Sequence, residues 1–195
     1  YWSISEMCRT IGNKLPLLEY VKKLSPSHPA RALLSISDVA PSRTRGSFYT
    51  SALTTLRLFT SKSIYAITHT SDFTLADMGS KKQALFVILP DEKTTFYPIA
   101  SLIVSQQYEL LAEAADRRGG RLERRVNFIL DEYGNFTPIS DMTNKLTVAA
   151  GRGMRYALFV QGFDQLKDKY TDNISIPIKG NCQVWAYLLS DDPET

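Results

Sequence analysis

The chain has 195 residues, 44% of them hydrophobic and 22% charged, with a formal net charge of +3. That length can bury a real core in one or two domains. Two cysteines far apart, Cys8 and Cys182, and two histidines argue against a disulfide framework and against a zinc site. No apolar run approaches the roughly 18–20 residues of a membrane span, and no signal peptide is visible. No Met opens the chain, which is expected to be a piece of a longer protein. Charge is unevenly placed: residues 1–82 hold 11 Lys/Arg against 5 Asp/Glu, and 83–195 hold 12 against 15. A basic first region could face nucleic acid, although an ordinary solvated helical surface reads the same way.

The first region reads as helical. Leu15 to Leu24 is apolar and ends near Lys22 and Lys23, where cations suit a helix dipole. Ser25 to Pro29 breaks it, and Ala30 to Ile36 suggests another short helix. After Pro41-Ser42, the residues Phe48, Ala52, Leu53, Leu56 and Phe59 fall at three- and four-residue spacing and predict a longer helix with one apolar stripe. Then the pattern changes. Gln83 to Leu89 predicts a buried strand stopped by Pro90, and Tyr97 to Ala115 a long amphipathic helix. Arg117 to Gly120 is a turn. Val126 to Leu130 predicts a strand buried on both faces. Ile139 to Ala150 predicts a helix that Asp141 caps or charges in its first turn. Tyr156 to Val160 is a third strand, Asp164 to Tyr170 a helix, and Gln183 to Leu189 a fourth strand. Alternating strands and helices imply an α/β fold with a parallel sheet covered on both faces.

The chemistry concentrates where the Val126–Leu130 run stops, at Asp131-Glu132. Open α/β sheets bind ligands at the carboxyl ends of their strands. There one carboxylate can serve a Mg²⁺ ion and the other can orient a water, the second half of a P-loop NTPase site. The competing reading is a solvated loop. Gln161 closes the next predicted strand, so parallel pairing would bring it beside Asp131 and Glu132. A neutral amide there can bond a γ-phosphate or an attacking water. Gln165, one helical turn on, is expected to pack or cap.

Other motifs are absent. No G-x-x-x-x-G-K-[ST] occurs, and Gly79-Ser80-Lys81-Lys82 is too short and leads into a strand. Gly151-Arg152-Gly153 lacks a third glycine and follows a helix, which rejects a dinucleotide site. There is no G-x-S-x-G elbow, and His28 and His69 are not spaced as a metal pair. A phosphate-binding loop, if the protein has one, lies outside this chain.

Five short motifs then occur in a telling order: Leu130-Asp131-Glu132-Tyr133-Gly134-Asn135, Ala150-Gly151-Arg152-Gly153, Val160-Gln161-Gly162-Phe163-Asp164-Gln165-Leu166 with Tyr170 after it, Gly180-Asn181-Cys182, and Asp192-Pro193-Glu194-Thr195. Together they resemble the TraG-type coupling proteins of type IV secretion systems. Thr70-Ser71-Asp72-Phe73, the Phe86–Pro90 segment and Gln106-Gln107 agree less sharply. The resemblance covers most of 64–195 and implies part of a RecA-like P-loop NTPase, a three-layer αβα fold with a mainly parallel sheet. It further implies that residues 1–63 are part of an all-α inserted domain and 64–195 the C-terminal half of the nucleotide-binding domain.

The function so implied is a membrane-anchored, homohexameric ATPase. It would use ATP and Mg²⁺ to drive single-stranded DNA with relaxase and relaxosome proteins into a conjugative secretion channel. It would work at the cytoplasmic face of the bacterial inner membrane through an anchor outside this chain. Carried onto this sequence, Asp131 would act on Mg²⁺ through water, Glu132 would be the general base, and Gln161 would sense the γ-phosphate. Arg152 stands where many relatives have an arginine near a subunit boundary, and a true arginine finger is worth about 10³–10⁵ in rate. Many relatives also carry Arg where this chain has Ala150, which counts against the finger assignment, and the alternative is that Arg152 only lines a central channel. Arg43 and Arg45 are candidates for contact with DNA or cargo. Two alternatives stand beside this reading: another hexameric DNA-translocating ATPase of the same superfamily, and a non-catalytic substrate-docking module. Without a P-loop, the chain alone is expected to hydrolyse no ATP.

Overall fold

The computed structural model describes residues 19–29, 31, 41–90 and 92–188. The chain divides into two compact units, 1–72 and 73–195.

In the first unit, the described regular structure is helical: Ser42–Leu56 (α1), a 3₁₀ turn at Arg57–Thr60, and Lys62–Thr68 (α2). Helix α1 follows Pro41, which cannot donate a hydrogen bond and suits a helix start. Its many hydroxyls are satisfied along the helix itself, Thr50 to Gly46 O, Thr54 to Thr50 O and Thr55 to Ser51 O. The expected apolar stripe is half-buried at Ala52, Leu53, Leu56 and Phe59, and Phe48 is exposed. Residues 19–22 are helical, as the Leu15–Leu24 reading expects. Residues 15–18 and most of the expected Ala30–Ile36 helix lie outside the described residues.

The second unit is built on a two-stranded parallel sheet. Strand β1 (Val126–Leu130) pairs with β2 (Met154–Leu158) in the register Val126 with Met154 through Leu130 with Leu158. Helix α4 (Met142–Arg152) makes the crossover between them. Long helix α3 (Tyr97–Asp116) precedes β1, while α5 (Asp164–Lys169) and α6 (Asp172–Asn181) follow β2. This is an α/β arrangement.

Helix α3 forms because Tyr97, Ala100, Val104, Leu111 and Ala115 recur at helical spacing behind Pro98 in its first turn. It ends where Gly119 and Gly120 adopt positive φ, and the Gly120 N–H returns to Ala115 O at 2.8 Å. Leu111, Met142, Met154 and Ile178 are almost wholly buried in one core with Phe128, Leu130 and Tyr133. Each such side chain stabilises the fold by about 1.5–3 kcal/mol. Lys145, 7% exposed, extends from α4 to Glu109 at 3.8 Å and over the Tyr108 ring of α3 at 5.0 Å.

Gly153 joins α4 to β2. Its φ of 88° lets the chain turn straight from helix into strand. Its carbonyl then accepts the Val126 N–H at 3.0 Å, the first rung of the sheet.

Several expectations need correction. Strand β1 is buried on one face only: Val126, Phe128 and Leu130 point into the core, whereas Asn127 is exposed and Ile129 is 70% exposed. The sheet is therefore covered on one face among the described residues. Residues 83–89 form no strand, and Phe86 and Ile88 are 83% and 90% exposed. The segment expected as a strand from Gln183 to Leu189 is also irregular through 188, with Val184 and Leu188 exposed. A strand exists only with a hydrogen-bonded neighbour, and among the described residues neither segment has one. Strand β2 begins two residues earlier than expected, because Gly153 and the pairing with Val126 fix its start. Helix α4 starts at Met142, not Ile139. Asp141 stands at its N-cap with φ 54° and makes no side-chain capping bond. Helix α6 was not expected, since Pro177 and Gly180 lie inside it. Among the described residues no helix is long and apolar enough to cross a membrane.

Candidate active site

The loops that leave β1 and β2 are stitched together. The Phe159 N–H bonds Leu130 O at 3.1 Å, and the Tyr133 N–H bonds Phe159 O at 2.8 Å. These bonds carry the ladder past the strand ends. Asp131 and Glu132 therefore sit at the carboxyl edge of the sheet, with Gln161 three residues beyond β2.

Glu132 and Gln161 meet there. The Gln161 side-chain amide Nε2 donates to Glu132 Oε1 at 3.3 Å and Oε2 at 3.2 Å. Asn135 Nδ2 donates to the same carboxylate at 3.1 Å. Both donors are neutral, so they orient the carboxylate without cancelling its charge. Glu132 has φ 51° and ψ 38°, left-handed backbone that costs a non-glycine residue about 1–2 kcal/mol. Such strain persists only where surrounding bonds fix it, and it collects at functional sites. Asp131 is exposed, and its Oδ1 accepts the Glu132 N–H at 3.1 Å. Its Oδ2 makes no hydrogen bond among the described residues.

A buried tyrosine pair supports this loop from below. The Tyr133 and Tyr170 hydroxyls are 2.8 Å apart, and Tyr170 Oη accepts the Ile139 N–H at 2.9 Å. Burial pushes the Tyr133 phenol far above its ordinary range, with Tyr170 beside it adding to the shift. Burial likewise raises Tyr156, which stacks on its register partner Phe128 at 4.5 Å.

Arg152 is elsewhere. It ends α4 at the opposite end of the sheet, a five-residue strand away, or roughly 16 Å. Its Nη1 donates to Ala112 O at 2.9 Å and pairs with Asp116 at 2.5 Å, tying α4 to α3. In the first unit, Arg43 is exposed and Arg45 half-buried on α1. The structure thus brings Glu132, Asp131 and Gln161 to one edge and leaves Arg152 apart within the chain.

The sequence reading held Tyr133, Asn135 and Tyr170 within its motifs but gave none of them a role in the site. Asn135 lies three residues after Glu132, within the reach of a single turn, and that spacing could have marked its bond to the carboxylate. The tyrosine pair joins residues 37 apart and had no local signal.

A groove of about 880 Å³ lies between β1 and the segment 81–89. Asp131 and Glu132 line one end of it, with Val126 to Leu130 along one wall and Phe86, Val87 and Leu89 on the other.

The family model described as type IV secretory system conjugative DNA transfer matches residues 6–195. The conjugal transfer protein TraG of Escherichia coli is 26% identical over 152 residues, 74% of this chain and 24% of that protein. The protein VirD4 of Rhizobium radiobacter is 26% identical over 141 residues, 72% of this chain and 20% of that protein. The chain spans about a quarter or less of the length of these curated relatives. No solved structure matches the chain.

Proposed function

This chain belongs to the type IV secretory system conjugative DNA transfer family, and from that membership we propose that it is the carboxylate-and-sensor half of an ATP site in a secretion coupling protein. The observation that carries the reading is the bond from Gln161 to Glu132 across the ends of two parallel strands. In this reading Glu132 is the general base for an attacking water. Gln161, holding that carboxylate, reports whether a γ-phosphate is present. The Asp131 carboxylate suits Mg²⁺, an ion that takes one or two carboxylates and fills its shell with phosphate and water oxygens. Its Oδ2 and its exposed place at the strand end fit that use. Bound Mg²⁺ would supply charge neutralisation on the phosphates of ATP.

The phosphate-gripping half must come from outside the chain. The groove beside β1 supports a RecA-like completion, because it runs along a strand edge and ends at Asp131 and Glu132. The helical first unit fits an all-α inserted domain, and its exposed Arg43 and neighbouring Arg45 suit contact with DNA phosphates or cargo. The intact protein would act as a homohexamer at the cytoplasmic face of the inner membrane. There it would drive single-stranded DNA and relaxase into the secretion channel. Within the chain Arg152 is engaged through Nη1 with Asp116 and Ala112 O, and a role across a subunit boundary would have to compete with or share those bonds.

The test is hydrolysis by the full-length protein. ATP turnover that rises with single-stranded DNA supports the translocase reading. Cargo binding with no turnover, with or without DNA, overturns it in favour of a docking module.

A further inference from the structure

Gln161 is exposed and stands beyond the last residue of β2, so packing does not fix it. Its backbone is held instead by Gln165. The Gln165 Oε1 accepts the Gln161 N–H at 3.0 Å. To do this the Gln165 side chain lies flat across Gly134, two residues after Glu132 in the β1 loop. A Cβ on Gly134 would overlap it, at 2.6 Å from Cδ and 2.8 Å from Cβ. Gly134 has no left-handed backbone angle, so glycine is required there for space and not for conformation.

We propose that Gln165 is the positioning residue that sets Gln161 against Glu132, and that Gly134 is glycine to admit it. One side chain, from the first turn of α5, touches both loops of the site. It rests on the loop that carries Glu132 and holds the amide of the residue that bonds Glu132. Its carbonyl oxygen is the functional atom, because the partner is an N–H donor. The consequence for rate rests on the reading of Glu132 and Gln161 as an ATP-hydrolysing pair, whereas the consequence for Gln161 itself does not.

The experiment compares Gln165→Leu, Gln165→Glu and Gly134→Ala in the full-length protein, with two readouts. Amide hydrogen exchange at Gln161 reads the contact directly. ATP hydrolysis reads its effect. Gln165→Leu keeps the bulk and loses the acceptor, so Gln161 should exchange about tenfold faster. Its kcat should fall about 10- to 100-fold with KM for ATP nearly unchanged, because misplacement acts on the chemical step. Gln165→Glu keeps an acceptor oxygen and should retain wild-type exchange and most of the rate. Gly134→Ala should reproduce both losses with Gln165 intact. Wild-type exchange at Gln161 in Gln165→Leu overturns the proposal, as does equal loss of rate in the Leu and Glu variants. Wild-type values in Gly134→Ala overturn the role given to that glycine. If the unmodified protein hydrolyses no ATP, the ATPase reading fails, and the exchange arm alone still decides the role of Gln165.

Discussion

Removing the Tyr170 hydroxyl should cost far more than removing its partner's. Tyr170 Oη accepts the Ile139 N–H at 2.9 Å and pairs with Tyr133 Oη at 2.8 Å. Ile139 is 3% exposed and Tyr133 is 1% exposed, so water cannot replace either bond. Tyr170→Phe orphans two buried groups, at about 1–3 kcal/mol each, which after some relaxation gives about 2–4 kcal/mol. Tyr133→Phe removes one bond and leaves Tyr170 with Ile139, at about 1 kcal/mol. In the double variant only the Ile139 N–H is orphaned, so its loss should not exceed that of Tyr170→Phe alone. Urea denaturation read by tyrosine near-ultraviolet circular dichroism measures all three, with equal m-values required for the comparison. Strictly additive losses, or a Tyr170→Phe loss no larger than that of Tyr133→Phe, would refute the claim that this pair is one buried network supporting the site loop.

Gly153→Ala should lower stability by about 1–2 kcal/mol, because φ 88° is left-handed and the turn into β2 cannot relax; the same denaturation assay checks it, and no loss would contradict that reading of the turn. Stability should hold up to about pH 10 and fall above it. Tyrosines ionise there in the unfolded chain, while burial keeps Tyr133 and Tyr156 protonated in the fold. Tyr133→Phe and Tyr156→Phe should each flatten that fall in a pH series of melts. Arg152→Ala should cost at most about 1 kcal/mol, since its partner Asp116 is 61% exposed and the pair is screened. Mixing that variant with Glu132→Gln subunits in hexamers decides the other role, because partial recovery of hydrolysis requires an arginine acting in trans.

Much of the fold was legible because it is set locally. Helix α3 and strand β1 are written in apolar spacing, and the turn between them in Gly119 and Gly120. The meeting of Glu132 and Gln161 was legible too, because two strand ends in one parallel sheet must be neighbours. What could not be read depends on partners. Residues 83–89 and 183–188 have the composition of strands, but nothing among the described residues pairs with them. Ile129 looks like core in sequence, yet it faces outward because the sheet is covered on one side. Arg152 was placed by motif, and a motif does not show that Asp116 and Ala112 already hold its guanidinium. The contact of Gln165 with Gly134 depends on a close approach of two loops that no spacing rule contains.

The central claim is that Glu132 is the base of an ATP site. Glu132→Gln in the full-length protein tests it most directly, by ATP binding and single-turnover hydrolysis on the same preparation. The amide keeps the shape of the side chain and loses the base. The account predicts ATP affinity within a few-fold of wild type and hydrolysis reduced by about 10²–10⁴. Hydrolysis at the wild-type rate would remove Glu132 from the chemistry and contradict the account.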